Sequence, residues 1–188
     1  MPQTDDALFY QLYFQSLGVP EAELERDPQR TLRSILYSAS GDAPRRSGRG
    51  EAAAHDVAMV PRQGGFISQM VDPAVLPSWL TEADIAFYAG EFARSGFRGG
   101  LNWYRNIDRN WELLAPFVGA RVAVPALYVA GDRDLVLGFH GMDQLIANLT
   151  HFVPQVRAKI ILPGCGHWTQ QERAAEVSSA MLDFLRTL

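Results

Sequence analysis

The run Val122-Ala-Val-Pro-Ala-Leu-Tyr-Val-Ala130 is apolar almost throughout and stops at Gly131-Asp132-Arg133-Asp134. Continuous rather than alternating hydrophobicity marks a strand covered on both faces, the condition of strands in parallel sheets. Such a strand needs neighbours to pair with and helices to cover it. The residues after it fit that demand: Met142 to Asn148 has a helical pattern, Lys159 to Leu162 reads as a second buried strand, and Gln171 to Leu188 as a closing helix. Strand, helix, strand, helix predicts parallel pairing through a right-handed crossover, and makes residues 116–188 part of an α/β domain.

Residues 1–115 have a different period. Phe9, Leu12, Tyr13 and Leu17 recur near helical spacing, and Glu21 to Ser38 continues the pattern, with Pro28 as a kink or restart. Thr81-Glu82-Ala83-Asp84 has the form of a capping box opening a helix through Phe92. Gly96, Gly99 and Gly100 separate it from another helix over Leu101 to Leu114. Between these helical parts, Ser40 to Gly65 is rich in Gly, Pro, Ser and Arg and is expected to be a long exposed loop.

Composition removes several classes of function. Seventeen basic against twenty-one acidic residues give a net charge of −4, with no basic run to neutralise phosphates or anionic lipid. Nucleic acid and membrane surfaces are therefore not expected partners. The apolar stretches fall far short of the roughly 20 residues that span a bilayer, and the N-terminus lacks a leader pattern, so a cytoplasmic protein is expected. The single cysteine, Cys165, excludes an internal disulfide. The histidines His55, His140, His151 and His167 lack ligand-like spacing, so no metal is expected.

Chemistry concentrates after the two strands. Asp134 and His167 each follow a strand and are separated by one crossover, which places both on the same rim of a parallel pair. A carboxylate that fixes one imidazole nitrogen leaves the other to deprotonate water or a nucleophile. Taken singly, Asp134 also fits a cap on the next segment and His167 an ordinary loop histidine. Acid then histidine is the final part of the nucleophile, acid, histidine order of the α/β-hydrolases, and Gly166 before His167 suggests an unusual backbone there.

Four segments, Phe9-Tyr-Gln-Leu-Tyr-Phe-Gln15, Gly96-Phe-Arg-Gly-Gly-Leu-Asn-Trp-Tyr-Arg-Asn106, Gly131-Asp-Arg-Asp-Leu-Val136 and Gly164-Cys-Gly-His-Trp-Thr-Gln170, together resemble the soluble epoxide hydrolases. The resemblance covers nearly the whole chain and weakens over Ser40 to Gly65. It implies an α/β-hydrolase fold, with residues 1–115 as a helical lid and 116–188 as the C-terminal part of the hydrolase core. It also implies that Tyr10 and Tyr104 hydrogen-bond the epoxide oxygen, that His167 activates water, and that Asp134 orients His167. Phe9, Gln11, Val136, Leu137 and Trp168 flank these positions as expected pocket walls. By spacing alone, Tyr10 with Tyr13 and Phe14, and Tyr104 with Ile107 and Trp111, would be apolar stripes of a core.

The family's carboxylate nucleophile, on an elbow after a buried strand, has no counterpart in these 188 residues, nor has its His-Gly-x-Pro segment. Ser40-Gly-Asp-Ala-Pro44 is the nearest match and lacks the preceding strand. Gly-x-Ser-x-Gly is also absent. The expectation is a fragment of an epoxide hydrolase, inactive alone, exposing apolar sheet edge, and completed by an N-terminal half or by a second copy. The competing expectations are a haloalkane dehalogenase or other α/β-hydrolase, which would lack the tyrosine pair, and a non-catalytic remnant or interaction module.

Overall fold

The computed structural model describes residues 1–44 and 58–188. They form two compact units: residues 1–38 with 58–116, and residues 39–44 with 117–188. Most of the Gly/Arg-rich stretch within the expected loop lies outside the described residues.

The first unit opens with a strand, β1 (Ala7–Phe9), where helical spacing predicts a longer helix; only Tyr10–Tyr13 (α1) is helical. β1 pairs antiparallel with β2 (Met59–Pro61), Leu8 opposite Val60, inside the stretch expected to be loop. Strands of three residues are too short for an alternating pattern to show. Helices α2 (Val19–Leu24) and α3 (Pro28–Ser38) come next, and Pro28 is a true restart, since the Asp27 carboxylate accepts from Arg30 N–H at 3.0 Å. The capping box at Thr81 is present in full, with Thr81 and Asp84 bonding each other's backbone N–H at the start of α4 (Glu82–Ser95). The helix expected over Leu101 to Leu114 is two, α5 (Arg98–Arg105) and α6 (Ile107–Leu113), broken at Asn106. That break ends the stripe expected around Tyr104, and Trp111 is 77% exposed rather than core.

Phe14, Leu24, Leu32, Phe97 and Leu101 form the buried centre of this unit. Three acidic side chains on or beside α2 fix the segments around it. Glu21 holds the Arg105 guanidinium through both oxygens, at 2.6 and 2.9 Å. Glu23 accepts from the Tyr13 hydroxyl and from the Phe66 and Ile67 N–H groups. Glu25 accepts from Phe97 N–H, one residue before α5. Arg105 also donates to the carbonyls of Phe14 and Ser16, so the end of α5 is tied to the chain just after α1.

In the second unit β3 (Ala126–Gly131) and β4 (Val156–Leu162) pair in parallel, Gly131 opposite Leu162, as the apolar run demanded. The crossover carries α7 (Met142–Ala147) and α8 (Leu149–Phe152). The closing helix is broken at Arg173 into α9 (Thr169–Glu172) and α10 (Ala174–Leu185). β3 starts after Pro125, which has no N–H to give a ladder. Val122 and Val124 lie outside it and are exposed, although the run predicts them buried in the strand. Leu162, Cys165 and Val177 are the buried centre, with Val129 and Ile160 against them. Ile161, Met181, Leu182 and Leu185 are exposed.

The Glu21–Arg105 pair is largely shielded from solvent and exceeds an ordinary surface bridge. Replacing Arg105 with Met leaves Glu21 and two carbonyls without their partner and is expected to cost the first unit about 3 kcal/mol, read by denaturant unfolding. Arg105 holds the Glu21 carboxyl down at about 2 from 4.5. The corresponding stability is complete above pH 4.5 and disappears as pH falls toward 2. Arg105→Met should remove that acid-dependent component.

Candidate active site

Asp134 sits three residues beyond the end of β3, and His167 five beyond β4, so each loop leaves the carboxyl end of its strand. Their side chains meet: His167 Nδ1 lies 3.1 and 3.2 Å from the two Asp134 carboxylate oxygens. Asp134 also accepts from Val136 N–H at 2.9 Å, capping the short turn Leu135–Gly138. Capping and holding the imidazole are thus one arrangement, with the aspartate fixed before it meets the ring. The Asp134 bond raises the His167 pKa from 6.5, against the opposing effect of burial. With Nδ1–H donated to Asp134, Nε2 keeps its lone pair and can take a proton. The imidazole is about 40% exposed and its carboxylate partner 13%, so the ring reaches the surface while the group that holds it stays shielded.

The loop that carries His167 is packed backbone against backbone. A Cβ at Gly131 would meet Cys165 O at 2.1 Å, one at Gly41 would meet Gly164 O at 2.1 Å, and one at Gly166 would meet Gly41 N at 2.3 Å. Gly166 is therefore required for close approach, and the unusual backbone expected there falls two residues earlier, at Gly164 with φ +68°. His167 N–H donates to Ala39 O at 2.9 Å, Gly164 N–H to Asp132 at 2.7 Å, and Arg133 N–H to Cys165 O. Cys165 is fully buried and its thiol is pushed up to about 11, chiefly by burial, which leaves it inert beside the histidine.

The tyrosines belong to the first unit. Tyr10 lies in α1 and Tyr104 in α5, and their rings stand edge to face with centroids 5.6 Å apart, both against Phe14. Gln15 donates to Tyr104 O, joining the end of α1 to α5 a second time. The Gln11 side-chain amide donates to the Tyr10 oxygen at 3.1 Å, which leaves the phenolic proton available for another acceptor. Burial raises the pKa of both phenols above 10, so both are neutral hydrogen-bond donors at physiological pH. Phe9 lies against Tyr10, with ring centroids 4.8 Å apart.

The second unit brings Asp134, His167, Val136, Leu137 and Trp168 together: Leu137 N–H donates to Asp134 O, and the Trp168 ring stands on the imidazole at 4.8 Å. The first unit brings Tyr10, Tyr104, Phe9 and Gln11 together. Missed in the sequence were the turn around Gly41 and the side chain of Glu172, both in contact with the histidine loop. Paired glycines at 41 and 166 were the available signal, but nothing local joins residues so far apart.

Sequence and structure comparisons converge. No family model matches the chain. It is 42% identical over 180 residues to epoxide hydrolase A of Mycobacterium tuberculosis, covering 96% of this chain and 52% of that protein. It is 37% identical to the bifunctional epoxide hydrolase 2 of Mus musculus, over 95% of this chain and 29% of the mouse protein. An epoxide hydrolase from an endophytic Streptomyces superposes with a TM-score of 0.87 at 38% identity, over 97% of this chain and 53% of that one. Epoxide hydrolase A of Mycobacterium thermoresistibile gives 0.82 at 43% identity, with the same coverage on both sides. The chain spans about half the length of the mycobacterial and streptomycete relatives. Together with the parallel β3–β4 pair and the strand-end loops, these likenesses show nearly the whole chain to be homologous to about half of the epoxide hydrolases of the α/β-hydrolase fold.

Proposed function

We propose that this chain supplies the water-activating and epoxide-polarising groups of an epoxide hydrolase, which adds water to an epoxide to give a vicinal diol. The observation that carries this reading is the bond from His167 Nδ1 to Asp134, which leaves Nε2 as a base. Residues 1–115 act as the lid and 116–188 as the C-terminal part of the hydrolase core. In this reading the hydroxyls of Tyr10 and Tyr104 both donate hydrogen bonds to the epoxide oxygen as its C–O bond breaks, and one of them gives the single proton that the alkoxide takes up. A neutral donor stabilises the developing alkoxide without bringing charge into an apolar pocket. Phe9 and Gln11 in the first unit, and Val136, Leu137 and Trp168 in the second, are proposed to contact the substrate. Nε2 of His167 then removes a proton from water, which attacks the ester formed between substrate and a carboxylate nucleophile and releases the diol. No cofactor enters.

The tyrosine pair favours an epoxide over a haloalkane, whose leaving halide needs no proton. The nucleophile is assigned to a complementing N-terminal half, on this polypeptide or on another, because these 188 residues hold no strand-elbow aspartate. Its docking surface is proposed to be the β3–β4 unit, where Ile161, Met181, Leu182 and Leu185 are exposed and, among the described residues, β3 pairs with β4 alone. A homo-oligomer is the competing occupant. Among the described residues no helix is long and apolar enough to cross a membrane.

The test mixes the chain with the nucleophile-bearing half of a related epoxide hydrolase and monitors diol formation from a chromogenic epoxide. The chain alone should be inactive and the mixture active. Diol formed by the unmixed chain, or none by a mixture shown to co-sediment, would sink the proposal. In the active mixture Tyr104→Phe should lower kcat roughly 10²-fold or more, and His167→Gln should trap the ester for mass spectrometry. His167 works only as the neutral imidazole in the hydrolysis step and its pKa is raised, so kcat should fall on acidification with an apparent pKa above 6.5. An acid limb below 6.5 would contradict that assignment.

A further inference from the structure

Glu172 is a carboxylate only 8% exposed, and no cation bonds it among the described residues. Neighbouring Arg173 directs its guanidinium to the carbonyls of Pro163 and Glu172 and to Glu176. Three backbone N–H groups supply the missing compensation. Oε2 accepts from Gly41 and Gly166, each at 2.8 Å, and Oε1 from Trp168 at 3.0 Å. A buried carboxylate without such donors costs several kcal/mol. One bond, from Trp168, would suffice to cap α9. Donors on Gly166 and on Gly41, 131 residues away, go beyond capping.

We propose that Glu172 is a positioning residue for His167, a clamp that joins the turn at Gly41 to the histidine loop and sets the angle at which the imidazole meets Asp134. The role rests on His167 being the water-activating base. Three consecutive N–H groups of the loop are engaged: Gly166 and Trp168 by Glu172, and His167 by Ala39 O. That fixes the His167 backbone on both sides and leaves the side chain only its own torsions, which Asp134 closes at Nδ1. Ala39 and Gly41 belong to one turn, so the Glu172 bond to Gly41 also holds the carbonyl that receives His167 N–H. Glycine at 41 and 166 allows the two backbones to come close enough for one oxygen to serve both.

The test is NMR on the isotopically labelled 188-residue chain, observing the His167 Nδ1–H proton with the Gly41, Gly166 and Trp168 amides. In Glu172→Gln, which turns one oxygen into a donor facing donors, the Nδ1–H signal should be lost to solvent exchange. The three amides should shift with it, and the His167 titration should fall toward 6.5. Glu176→Gln removes the same charge from an exposed neighbour that does not touch the loop, and should leave every signal in place. Equal effects of the two substitutions would make the influence one of charge and overturn the clamp. So would displaced amides with an unchanged Nδ1–H signal in Glu172→Gln. Should that variant not fold, Glu172→Asp carries the test by withdrawing the carboxylate about 1.5 Å, one C–C bond. The ring signal must then shift in step with the three amides; amides that move without it, or a spectrum that does not change, overturn the clamp. None of these readouts uses an epoxide. Absence of diol formation would leave the clamp standing, and a free ring signal would leave the proposed reaction standing.

Discussion

Where the histidine loop meets the end of β3 and the turn at Gly41, backbone touches backbone, and the placement of His167 beside Asp134 depends on that contact. Gly41, Gly131 and Gly166 lack the Cβ atoms that would hold these segments apart. Loops gain no ladder bonds of their own, so a loop residue is held to catalytic tolerance only if its amides are engaged from outside. Here Asp132, Ala39, Arg133 and Glu172 do so along residues 164–168. The imidazole inherits its rigidity from glycines and backbone bonds rather than from a packed apolar shell, which in this unit is small.

The first unit solves the same problem with charge. Tyr10 and Tyr104 lie on short helices, which have little intrinsic stability. Glu21, Glu23 and Glu25 fasten Arg105, the Phe66–Ile67 amides and the Phe97 amide around them. Arg105 comes directly after Tyr104 and bonds carbonyls just past α1. A carboxylate accepting backbone N–H is thus the recurring device in both units. It acts over a short range and in a fixed direction, which suits holding a side chain in place.

What the sequence made legible was periodic or sequential. The apolar run ending at Gly131 yielded the strand and, with Lys159 to Leu162, the parallel pair; strand-end position made Asp134 and His167 neighbours. The tyrosine pair was legible only through the family motifs, since spacing alone made both residues core, and both do pack on Phe14. Apolarity misled at Val122 and Val124, which lie before the strand begins and are exposed. It misled again at Trp111, beyond the break at Asn106. The Gly41–Gly166–Glu172 contact was not legible because its strength lies in what the glycines lack, and its partners lie far apart in the chain.

The amide of Gln11 points its N–H at the oxygen of Tyr10. A hydroxyl that already accepts a hydrogen bond is polarised along its own O–H, because electron density drawn into the accepted bond leaves the proton more exposed. The first phenol is primed in this way while Tyr104 has the ring of Tyr10 beside it, so the two hydroxyls are not electronically equivalent. In the proposed reaction an oxyanion shared between them would sit off centre, with the shorter hydrogen bond on the side of the amide.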